Sequence, residues 1–284
     1  MRTTAGHRIV LGADDSPVIL HVPHASQVIP ADARAGLLLG DEALAMELAH
    51  MTDAHTDVIA DRAAAASDRT PWSLVNLLSR LVIDPERFPD DREDMRAVGM
   101  GAVYTRTSHG QLLRSDDDAA AEDDLLARWY WPYGQAMTDL VDARLAATGR
   151  VTVIDVHSYP SQRLPYEVGG KVRPAVCLGT HSFHTADWLL DAGREAFASG
   201  GSIAVNTPFA GCYVPLKHHG KEPRVSALMV EIRRDIYMVE PGGQPTNGIA
   251  AVIASLTRLI DAVTAPPVNA QSGTPSVRFT GRDA

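Results

Sequence analysis

Short apolar runs ending in turn-forming or polar residues recur along this chain, and helical stretches separate them. The first run, PVILHV at 17–22, reads as a buried strand with proline at its edge. Residues 73–89 begin as a strand and end near Pro85, and 150–161 (RVTVIDVHSYPS) is the strongest strand pattern in the chain. Shorter strands are predicted at 173–182 and 202–214, and another central one at 225–238. Helical composition covers 40–67, with Asp41 as its N-cap. It also covers 122–149, as a helix pair or one helix interrupted at Pro132 and closed by Gly149, and then 185–199 and 247–263. The polar segment 90–120 reads as long surface loops, where function often sits.

Strands and helices alternate throughout, which predicts an α/β fold with helices on both faces of a mostly parallel or mixed central sheet. The domain is expected to span 1–265. Residues 266–284 lack periodicity and read as a disordered tail.

Three of these strands end in, or carry, a group able to bind metal or move a proton: His24, His157 and Glu231. Sites in open α/β sheets gather beyond the carboxyl ends of the strands, so separate strands can deliver these groups to one place. Alternation puts Val18, Leu20, Val22 and His24 on one side of their strand, and Val153, Asp155 and His157 on one side of theirs. Asp155 is then either a carboxylate supporting His157 or a plain strand-end charge. Glu231 lies in an apolar run, where a carboxylate needs a partner. It is either a functional acid or the ion-pair partner of Arg233 or Arg234.

His50, Asp53, Asp57 and Asp61 are spaced by three or four and share a face if the helix is continuous. A carboxylate from this segment would complete a two-histidine, one-carboxylate set of the kind that holds a catalytic zinc. Spacing does not select which aspartate. Arg80 and Arg87 offer guanidinium forks for a substrate carboxylate, unless they are simply ion-paired. Asn76, Ser158 and these arginines are the substrate-binding candidates. Ser158 lacks a nucleophile-elbow context, and the chain has neither a phosphate-binding loop nor a dinucleotide fingerprint.

Composition narrows the classes. The chain has 284 residues, 45% of them hydrophobic, and a formal net charge of −9. That charge argues against a nucleic-acid partner. No apolar run is long enough to span a bilayer, and no signal peptide is evident. Two distant cysteines, Cys177 and Cys212, give no disulfide framework. A cytoplasmic setting is the expectation, and oligomeric state is not legible.

Nine segments in order, HVPHAS, DAHTD, SRLVIDPER, YTRTSHG, WPYG, DVHSYP, LGT, NTPFAGCYV and ALMVEIRRDIYM, resemble the N-formylglutamate amidohydrolase family over residues 19–238. The resemblance implies a three-layer α/β/α, phosphorylase/hydrolase-like fold akin to zinc exopeptidases. It implies one Zn2+ and hydrolysis of an N-formyl amino acid to formate and the free amino acid. On this chain it implies His24, His157 and Asp57 as the metal set, with Asp53 as the alternative. Glu231 becomes the general base, and Arg80 and Arg87 the carboxylate anchors. The chain departs from the family pattern at Gly134, where a histidine is common, at DPER (84–87), at Gly211-Cys212 and in KHHGKEPR (217–224). Two alternatives stay open: a deacylase or carboxypeptidase of the same fold with another N-acyl amino acid or peptide substrate, and a non-catalytic metal- or carboxylate-binding protein.

Overall fold

The computed structural model describes residues 1–4, 6–115, 119–167 and 172–265. The expected tail at 266–284 lies outside the described residues. Among the described residues, eight strands form one mixed sheet in the order β1-β2-β4-β3-β5-β8-β6-β7. They are β1 (Arg2–Thr3), β2 (His7–Val10), β3 (Val18–Val22), β4 (Trp72–Asn76), β5 (Val151–Tyr159), β6 (Val176–Gly179), β7 (Ile203–Val205) and β8 (Val225–Arg233). The four central strands β4, β3, β5 and β8 run parallel. The antiparallel partners are β2 on one flank and β6 on the other.

Seven α-helices accompany them among the described residues: α1 (Ala31–Ala35), α2 (Asp41–Met51), α3 (Thr56–Ala66), α4 (Ala119–Leu125), α5 (Trp131–Thr148), α6 (Asp187–Phe197) and α7 (Ile249–Thr264). Alternation along the strands sorts the core into two layers. Val18, Leu20 and Val22 of β3, Ile154 and Val156 of β5, and Leu228 and Val230 of β8 pack under α3, α6 and α7. Ile19, Val151, Val153 and Ala227 face the other way, against Met137, Leu140 and Val141 of α5. The architecture is the expected three-layer α/β/α. Among the described residues no helix is long and apolar enough to cross a membrane.

Several element boundaries differ from the sequence reading. The stretch 40–67 is two helices. Thr52 is extended and His55 takes a left-handed φ of 69°, so the chain turns between α2 and α3. Asp41 is the first helical residue rather than the N-cap; Gly40 holds the cap position without a side-chain bond. Pro132 interrupts nothing, because it lies in the first turn of α5, where its missing N–H is tolerated. A single π turn, Leu126–Tyr130, joins α4 to α5. Strand β7 is only three residues, and β4 stops at Asn76, after which the chain turns. Strand β2 was not foreseen. Its four residues are half-buried and polar-interrupted, and long-range pairing with β4 makes them a strand.

Candidate active site

The carboxyl ends of β3, β5 and β8 are neighbours in the sheet, and the register sets His157 directly opposite Glu231. His24 arrives differently from the alternation argument. Strand β3 ends at Val22, so strand parity no longer governs a residue beyond Pro23. The turn is fastened by Asn76, whose Nδ2 donates to the Pro23 carbonyl at 2.9 Å while its Oδ1 accepts from Leu78 N–H. Asn76 is buried and is not among the residues lining the cleft. It shapes the approach to His24.

Asp53 occupies the break between α2 and α3. Its N–H donates to the His24 carbonyl at 3.0 Å, which brings the carboxylate beside the histidines. His24 Nδ1 and His157 Nδ1 stand 3.3 Å apart. Asp53 Oδ2 is 3.0 Å from the His157 nitrogen and 3.6 Å from that of His24. All three residues are buried. Asp57, the aspartate favoured by the family resemblance, is not in this group. It lies in the first turn of α3, where its Oδ1 accepts from the N–H of Val58. The shared face that a continuous helix would give positions 50, 53, 57 and 61 is not formed, because α2 stops at Met51.

The far side of each imidazole is held by acid. His24 Nε2 donates to Asp84 Oδ1 at 2.8 Å. His157 Nε2 lies 3.0 Å from both Asp155 Oδ1 and Glu86 Oε1. Asp84 also accepts from Arg80 Nη2 and from the Tyr104 hydroxyl, each at 2.7 Å. Asp155 accepts from His21 Nδ1 at 2.7 Å and from Tyr213 N–H at 3.1 Å. Burial opposes ionisation of Asp53. Hydrogen bonds from His157 and His24 and the Arg234 charge nevertheless hold its carboxyl far below the usual range. Burial likewise opposes protonation of His157, but the charges of Glu86 and Asp155 lift it well above an ordinary histidine.

Two observations fit a divalent cation at the inner triangle. Ligands about 2.0–2.1 Å from a tetrahedral zinc stand about 3.3 Å from one another, as the Nδ1, Nδ1 and Oδ2 atoms do here. The carboxylates behind both imidazoles supply the outer hydrogen bonds that orient metal-binding histidines.

Glu231 is the orphan carboxylate among the described residues. It is buried, and its Oε2 has no hydrogen-bond partner. The alternative of an ion pair with the following arginines is not formed: Arg233 bonds Asp235. Arg234 turns to Asp53 Oδ1 at 2.9 Å and to the Ser158 hydroxyl at 3.1 Å. Burial, countered by the neighbouring His157 and reinforced by Asp53 and Glu86, raises the Glu231 carboxyl to about 7.

A cavity of about 840 Å³ opens over this centre. It is lined by His24, Asp53, His157 and Glu231, by Arg80, Arg87 and Ser158, and by Gly134. Arg80 is occupied: its Nε donates to Tyr104 and its Nη2 to Asp84. Arg87 makes a looser contact with Glu93 at 3.3 Å and keeps more of its side chain exposed. Asp84, Glu86 and Tyr104 were not foreseen as site residues. The only signal for Asp84 was an acid closing the apolar run LVID before Pro85.

A family model described as N-formylglutamate amidohydrolase matches residues 16–238. Among solved structures, an N-formylglutamate amidohydrolase from Ralstonia eutropha JMP134 is similar at 22% identity and a TM-score of 0.76. The match covers 92% of this chain and 98% of that one. A gene product of Agrobacterium tumefaciens is similar at 19% identity and a TM-score of 0.66, over 91% of this chain and 94% of the other. At these identities the likeness is one of fold. A comparison with curated proteins finds no match.

Proposed function

We propose that this chain, which belongs to the N-formylglutamate amidohydrolase family, hydrolyses an N-formyl amino acid such as N-formyl-L-glutamate with the help of one divalent metal ion, zinc by its donor set. The observation that carries this reading is the triangle of His24, His157 and Asp53 beside a buried carboxylate with an open oxygen.

When bound, the metal supplies a Lewis acid for the formyl carbonyl and for the attacking water. The other steps belong to the protein. Glu231 Oε2, free of partners and on a carboxyl raised to about 7, takes the proton of the water and passes it to the leaving amine. Asp84 and Asp155 hold the two imidazoles in one tautomer, with Nε2 donating outward and Nδ1 turned to the triangle. Arg234 fixes Asp53 by binding its second oxygen. Arg87 is the better placed fork for a substrate carboxylate, because Arg80 already serves Asp84 and Tyr104. Ser158, engaged by Arg234, supports the centre rather than attacking.

The size of the cavity favours a second reading within the same chemistry. About 840 Å³ is near the upper end of the range for small-molecule sites, and a longer N-acyl or peptidyl amino acid would fill it better. Formate release from N-formyl-L-glutamate by zinc-loaded protein, run beside acetyl and peptidyl analogues, separates the two. Preference for the formyl compound supports deformylation, and turnover of only the larger analogues selects the second reading. Zinc bound without release of any acid would refute both.

A further inference from the structure

A second set of nitrogen and oxygen donors stands at the rim of the same cavity, apart from the His24–Asp53–His157 triangle. Glu47 and His50 lie one turn apart on α2, so their side chains share a helix face. His109 comes from the loop that bonds back on itself between Thr105 and Leu113. One donor atom from each of the three lies within 4.8 Å of the others. The rings of His50 and His109 are 5.2 Å apart between centroids.

Hydrogen bonds settle which lone pairs are available. Both Glu47 oxygens accept from Ser108, one from its N–H at 2.6 Å and one from its hydroxyl at 2.8 Å. A hydroxyl has one proton, and a carboxylate can only accept. The 3.0 Å contact between Ser108 Oγ and His109 Nδ1 must therefore be donated by the imidazole. A neutral His109 ring then carries its proton on Nδ1 and presents a bare Nε2. Burial, the largest influence on His50, shifts its ring below the ordinary histidine range. Its buried Nδ1 has no hydrogen-bond partner.

We propose that Glu47, His50 and His109 form a second site for a divalent cation of zinc's class, which ties the 105–113 loop to α2 at the cavity rim. Two imidazoles and a carboxylate are the donors that class of ion prefers, and three protein ligands leave a position open. His50 itself lines the cavity, so the charge of the ion would be felt there. Arg234 bridges the two centres, donating to the His50 carbonyl and to Asp53. The inference does not depend on amide hydrolysis.

The test is zinc binding to full-length, chelator-stripped protein, with bound metal per chain measured for the wild type and for His109→Ala, Glu47→Gln and His157→Ala. The wild type should hold two equivalents and each variant one. A single wild-type equivalent that His157→Ala abolishes and His109→Ala leaves intact overturns the second site and spares the triangle. A single equivalent with the opposite sensitivity supports the rim site and overturns the triangle. Two equivalents surviving in both His109→Ala and Glu47→Gln overturn the rim site. No bound zinc at all overturns both. His109 is exposed and Glu47→Gln is conservative, and circular dichroism of each variant separates lost ligation from lost fold.

Discussion

Glu231 and Arg234 are close in sequence, yet the fold keeps them from pairing and gives the arginine to Asp53. That choice leaves one carboxylate buried with a bare oxygen. Replacing it with glutamine should reduce turnover on the order of 10²–10⁴-fold without lowering metal content. Unchanged turnover would end its assignment as the base. The same residue makes a pH-dependent contribution to stability. Its carboxyl is raised from 4.5 to about 7, so the fold favours the neutral acid. That contribution is complete below the unfolded value and is lost as pH rises through about 7. Chelator-treated Glu231→Gln should therefore melt higher than wild type at pH 8, by up to about 3 kcal/mol of stability, and match it near pH 4. Equal melting midpoints at both pH values would contradict the raised carboxyl. The neighbouring aspartates offer a contrast. Asp53→Ala should lose zinc and destabilise the chain by about 3–5 kcal/mol, because it strands the buried Arg234 charge. Asp57→Ala should do neither. Metal analysis and urea denaturation of the pair would detect a reversal of roles.

At the scale of elements, the decisive feature is the break between α2 and α3. A continuous helix would have carried Asp57 and Asp53 on one face; the extended Thr52 and left-handed His55 instead set Asp53 against β3. The parallel trio β3-β5-β8 supplies the rest, with nine consecutive register pairs between β5 and β8 locking His157 opposite Glu231. Strand β6 buttresses β8 from the other side and passes very close to the cavity wall. A Cβ at Gly179 would stand 2.2 Å from the Gly211 carbonyl oxygen and 2.3 Å from Met229 Cε. The methionine end can move, but the backbone oxygen of a cavity-lining loop cannot yield as easily. Gly179→Ala should cost about 1–3 kcal/mol and weaken substrate binding more than zinc binding. A urea midpoint and KM both equal to wild type would show that the close approach has no consequence.

For the molecule as a whole, the charged groups around the centre hold a cation-shaped deficit. Asp53, Asp84, Asp155 and Glu86 surround His24 and His157, while Arg80, Arg87 and Arg234 are paired into the same network. Metal that binds only the folded chain stabilises it by mass action, about 2.7 kcal/mol at a hundredfold excess over Kd. For a chain of this size that corresponds to a rise of roughly 5 °C in Tm, reversed by a chelator. A Tm indifferent to chelator and to added zinc would argue against any metal-linked fold.

What the sequence determined alone was the layering and the identity of the strand-end groups. Period-two and helical patterns specify which side of each element is apolar, and short unbroken apolar runs bounded by turn residues fit central strands. They marked His24, His157 and Glu231 because polar groups at the ends of such runs stand out. What only the tertiary structure decided was convergence. Whether Asp53 or Asp57 meets the histidines depends on a local helix break. Whether Arg234 pairs with Glu231 or Asp53, and whether Asp84 and Glu86 stand behind the imidazoles, depends on contacts between residues tens of positions apart. Such contacts are set by the packing of the whole sheet, and no local spacing carries them.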